Sequence, residues 1–154
     1  MGTPPYSTPT VLEDKMSIRA LPLMVIPLIL YNIIVVFSGT GPATGPLGTV
    51  LLSVGMLRDN TTWAFSWGDL IILTTMAVLF VEIVKATYTS TISLVDHGLS
   101  MLVFIACLVE FLVVSKAATS VFFFIMMGAL IDVVAGFTIG IRVARRDLTI
   151  GAQT

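Results

Sequence analysis

The run GALIDVVAGFTIG, residues 128–140, carries one aspartate in otherwise apolar sequence, with VFFFIMM before it and IRVARR after it. A carboxylate in the middle of a membrane helix is costly unless it is protonated, paired or hydrated. Asp132 therefore points either to proton or cation handling or to a hydrogen bond buried at a helix contact. Its neighbours favour the contact. Gly128, Asp132, Gly136 and Gly140 recur every four residues and share one helical face. Gly136 and Gly140 form a small-x-x-x-small pair, so this face is expected to pack tightly on another helix, with Asp132 turned to protein.

Two further stripes carry ionisable groups. Glu82 and Lys85, three residues apart, can pair along one helix face, with Thr74, Thr75 and Thr89 on or near it. Lys85 has the length to reach an interface, whereas Glu82 is deep. Asp96, Ser100, Val103, Cys107 and Glu110 follow one another at spacings of four and three, which is one face again. Asp96 reads as a helix cap. His97 reads as a polar anchor at a membrane edge; ligation of a pigment or haem and pH sensing are the functional alternatives. Counted along the helices, Asp132 and Glu82 lie at similar depth and Glu110 about 9 Å further out. Glu82 and Lys85, or a neighbouring chain, are thus the expected partners of Asp132. The three acids are either a ladder of protonatable sites or three separate polar contacts.

Other chemistries have little to stand on. One histidine and one cysteine, Cys107, make a dedicated His/Cys metal cage very unfavourable, and no cofactor site is expected. No P-loop, HExxH or catalytic triad is present, so no catalytic residues are assigned and an enzyme is not expected. NTT at 60–62 matches a glycosylation sequon, which matters only in a secretory eukaryotic setting.

The elements that must position these groups follow from composition. Of 154 residues, 56% are hydrophobic and only 11% charged, and mean hydropathy is +1.03. Soluble domains carry about a quarter charged residues. The expected fold is an all-α integral membrane protein with four transmembrane helices, at about 20–37, 69–88, 97–115 and 119–142. A short interfacial or re-entrant helix is expected at 46–57, between the first and second; a fifth crossing there is the alternative. Trp63, Phe65 and Trp67 beside it favour the headgroup level. Pro22 suits a first helical turn, and Pro27 predicts a kink. The link KAAT predicts that the third and fourth helices are antiparallel neighbours. The transmembrane domain covers 20–146, with tails at 1–19 and 147–154. MGTPPYSTPTVLEDK has no apolar core and fits a signal peptide poorly, while Met16 reads as a natural start.

Charge sets orientation. Lys15, Arg19, Lys85, Arg142, Arg145 and Arg146 fall on one side of a four-span layout, and Arg58 and Lys116 on the other. Both termini are then cytoplasmic by the positive-inside rule. The short links, the closing IRVARR and the mid-span acids resemble small four-span bacterial inner-membrane proteins over residues 16–150. That resemblance implies the bacterial inner membrane and no functional residues. With a net charge of −1, nucleic acid is not an expected partner; the bilayer and other membrane subunits, or a homo-oligomer, are. The expected role is a non-catalytic subunit of a larger respiratory, photosynthetic or transport assembly. The alternative is a homo-oligomeric transporter or channel using the intramembrane carboxylates.

Overall fold

Three stretches combine the length and hydropathy needed to cross a bilayer: Trp67–Ala86, Asp96–Val113 and Ser120–Arg142. The computed structural model describes residues 21–39, 41–57, 61–87 and 91–151, with backbone alone at 91–95 and 143–151. In chain order it forms helix α1 (Val25–Phe37), a single helical turn (Thr44–Leu47), strands β1 (Val50–Gly55) and β2 (Thr62–Ser66), and helix α2 (Trp67–Ala86). Helix α3 (Thr91–Val113), a 3-10 turn (Ser115–Ala117) and helix α4 (Ser120–Gly151) follow. The N-terminal tail with Lys15 and Arg19, residue Arg58, and the side chains of Arg145 and Arg146 lie outside the described residues.

Helix α4 is the centre. It packs along both α2 and α3, while α1 lies mainly against α2. Accordingly 44% of its membrane-length window is buried, against 22% for α2 and for α3. The turn Ser115–Ala117 joins α3 to α4 as neighbours.

The first apolar stretch is shorter as a helix than its sequence suggests. At thirteen residues α1 is about 20 Å long, less than a hydrocarbon core of about 30 Å. Pro27 does not kink it. The helix starts at Val25, so Pro27 occupies the first turn, where its missing N–H has no intrahelical acceptor to lose. Ahead of it, Val25 N–H reaches Pro22 O at 3.2 Å and Ile26 N–H reaches Leu23 O at 2.9 Å. The C-terminal end of α1 is closed by Lys116, whose Nζ donates to Gly39 O at 2.5 Å and Val35 O at 3.4 Å. A cation there also complements the helix dipole.

The expected helix at 46–57 is instead an antiparallel hairpin, with Val54 opposite Trp63 and Ser53 opposite Ala64. Two β-rich segments, VLLSV and TWAF, supply each other's backbone partners, an option an isolated six-residue helix lacks. The hairpin runs directly into α2. Ser66 and Asp69 form a reciprocal capping box: Asp69 N–H donates to Ser66 Oγ at 3.3 Å and Ser66 N–H to Asp69 Oδ2 at 2.8 Å.

Inside, the bundle has two layers. Near the hairpin end the core is apolar: Tyr31, Leu47, Ile71, Cys107, Phe122 and Ile125 are all buried. Tyr31 sets its ring edge-on to Phe122 at 4.9 Å, and its hydroxyl donates to Lys116 O at 2.7 Å beside Thr119 Oγ1 at 2.8 Å. At the other end the core is polar, with Glu82, Asp96, His97, Ser100 and Asp132 all buried. Large apolar side chains point outward instead, among them Ile29, Phe80, Leu102 and Val134.

Candidate functional site

The polar layer draws on three helices and the chain entering a fourth. Glu82 and Lys85 come from the last turns of α2, Asp96, His97 and Ser100 from the first half of α3, and Asp132 from the middle of α4. Antiparallel packing brings them to one level. Glu82 is about 22 Å along α2 from Trp67, and Asp132 about 18 Å along α4 from Ser120.

Lys85 is the hub. Its Nζ lies 2.8 Å from Glu82 Oε2, 2.9 Å from Asp96 Oδ1 and 3.1 Å from Leu21 O. An ammonium has three N–H groups, so these contacts use all of them. Glu82, 2% exposed, also accepts the backbone N–H of Leu23 through Oε1. The pair thereby satisfies the Leu21 carbonyl and the Leu23 N–H, which precede the helix. Non-helical backbone at membrane depth persists only where protein supplies such partners.

Asp132 is 4% exposed. Its side chain is hydrogen-bonded to Ser100 and close enough to Glu82, Asp96 and Lys85 for their charges to act on it. The depth count therefore brings it to the right neighbours, but its bonded partner is on α3 and not on α2. Its Oδ2 has no hydrogen-bond partner, the one such buried side-chain atom among the described residues.

Asp96 and His97 differ from expectation. Helix α3 begins at Thr91, so Asp96 lies inside it and binds Lys85 instead of capping the helix start. His97 is buried, 5% exposed, and is not an anchor at an edge. Its ring lies over Gly136, where a Cβ would come within 2.6 Å of its Cε1, and 6.0 Å from Phe137.

The glycine face thus divides into three different sites. Gly128 is close-packed, with a Cβ there 3.0 Å from both Met24 Cε and Thr75 Cγ2. Gly136 makes room for an imidazole, not for another backbone. Gly140 has nothing within 4 Å of where a Cβ would stand, so the Gly136/Gly140 pair is not a backbone-to-backbone contact within the chain. Glu110 is not part of the polar layer. It lies within a turn of the end of α3 at Val113 and near enough to Tyr31 and Cys107 to act on them electrostatically. The three acids do not form one ladder: Glu82 and Asp132 share the polar layer with Asp96, and Glu110 stands apart.

Among the described residues no group of three or more His, Cys, Asp or Glu is placed to hold a metal ion. The arrangement suits proton chemistry and ion pairing. Two carboxylates bind one ammonium, a third carboxylate and a histidine are buried in the same layer, and the Lys85 side chain is 25% exposed. No family model, no curated protein and no solved structure matches the chain.

Proposed function

We propose that the chain is a multi-pass integral membrane protein of the bacterial inner membrane, with both termini cytoplasmic, serving as a non-catalytic subunit of a larger membrane assembly. Polar groups inside and large apolar groups outside reverse the distribution of a soluble bundle, which supports insertion in lipid.

The observation that carries the subunit reading is the hairpin. Every residue of β1 is exposed, and Val50, Leu51, Leu52, Val54, Met56, Leu57 and Trp63 present apolar surface on both of its faces. A lone two-stranded hairpin is only marginally stable in water, and contiguous apolar surface of this kind marks an interaction site. Here it is rooted in α2 by the capping box and by Trp67 N–H donating to Thr49 O at 3.2 Å. Another membrane subunit lying over it accounts for a rigidly based, uncovered apolar element. A photo-crosslinking residue at Leu52 or Trp63, activated in native membranes, tests this. A discrete crosslink to an unlike chain is expected; crosslinks to lipid alone would overturn the subunit reading.

The buried cluster favours a second reading, a homo-oligomeric transporter or channel that uses Asp132 and Glu82. Under that reading the hairpin crosslinks to a second copy of the same chain.

A further inference from the structure

We infer that Asp132 is a proton-binding site, carrying a proton at neutral pH and exchanging it with water at the Lys85 end of the bundle. Four observations lead there. Lys85 is the one lysine or arginine side chain placed in the cluster among the described residues, and its three N–H groups are taken by Glu82, Asp96 and Leu21 O. Its charge is therefore shared by two carboxylates before Asp132 is considered. Asp132 is 4% exposed and is hydrogen-bonded to the Ser100 side chain, while its Oδ2 has no hydrogen-bond partner. Asp132 lies in the same buried layer as Glu82 and Asp96, whose negative charges act on it and favour its protonated form.

The charged and titratable groups around Asp132 come from α2 and α3. Helix α2 contributes Glu82 and Lys85, and α3 contributes Asp96, His97 and the neutral Ser100. The segment 21–24 contributes backbone groups only, and on α4 the next charged residue, Arg142, lies about 15 Å further along the helix. Glu82 and Asp96 already outnumber Lys85 by one charge, and a third ionised carboxylate would add a second uncompensated negative charge to the buried site, which low-dielectric surroundings disfavour strongly. Uptake of one proton from water forms an O–H bond on Asp132, neutralises it and lowers the net negative charge of the cluster by one. Release returns the proton to water and leaves a carboxylate. The site is the same whether the chain works as a subunit or as an oligomer of itself.

Infrared difference spectroscopy of the purified protein in lipid, in H2O and D2O, reads this directly. At neutral pH the wild-type protein should show the carbonyl stretch of a protonated carboxyl, sensitive to deuteration. Asp132→Asn should abolish it, Ser100→Ala should shift its frequency, and Glu110→Gln should leave it unchanged. Absence of the band in the wild type, or its persistence in Asp132→Asn, would overturn the assignment. Should Asp132→Asn fail to fold, the Ser100→Ala spectrum decides: an unmoved band would place the proton elsewhere.

Discussion

The imidazole of His97 fills the space in which a side chain at Gly136 would begin, with Cε1 2.6 Å from an ideal Cβ position. Gly136→Ala must therefore displace a buried ring from the polar cluster. Overpacking of this kind costs about 1–3 kcal/mol. Gly140→Ala, with open space at its Cβ position, should change stability by less than about 0.5 kcal/mol. Reversible unfolding in mixed micelles compares the two. Equal effects would mean that the ring does not occupy this site.

Lys85 bridges Glu82 and Asp96, and removing it strands both carboxylates. Breaking a buried pair by deleting one partner costs about 3–5 kcal/mol. Lys85→Met should lose stability on that scale, and adding Glu82→Gln should restore part of it. The amide removes one uncompensated charge and still accepts the Leu23 N–H through its oxygen. The unfolding free energies of the single and double variants measure this directly. A double variant weaker than Lys85→Met alone would contradict the pairing scheme.

At the opposite end of the bundle, Tyr31→Phe keeps the ring contact with Phe122 and removes the hydroxyl that meets Lys116 O and Thr119 Oγ1. A loss of about 0.5–1.5 kcal/mol per hydrogen bond is expected. Thermal melts of the two proteins in the same detergent test it.

Much of this architecture is legible in the residues. Helices α2 and α4 begin within two residues of the positions read from hydropathy, because runs near twenty apolar residues leave few alternatives. The hairpin is not legible in the sequence because VLLSV is a short apolar run, and periodicity alone does not separate strand from helix there. Its exposure on both faces also removes the alternation that marks a half-buried strand. In the sequence Pro27 reads as an interior kink, whereas the helix begins at Val25 and places it in the first turn. In the polar layer the stripe Asp96/Ser100 was visible, but helical phase does not say which neighbour a face meets. The Ser100–Asp132 and Lys85–Asp96 contacts depend on packing between helices, and the glycine pattern resembled a helix-contact motif although Gly136 accommodates a ring.

Orientation yields a separate prediction. Reporter fusions at residue 154 should be active on the cytoplasmic side, and fusions in the loop near residue 60 on the opposite side, because six of the eight Lys and Arg residues fall on one side when the short helix α1 and the chain entering it make a fourth crossing beside the three membrane-length helices. A periplasmic signal at residue 154 would contradict four crossings.

The subunit reading is tested most directly by the composition of the native particle. Extracted from its own membrane in mild detergent and weighed intact by native mass spectrometry, the 16.5 kDa chain should be found with unlike chains in a fixed ratio. Substituting Leu52→Asp and Val54→Asp on the hairpin should release it from them. A particle whose mass is an integer multiple of this chain alone would contradict the account.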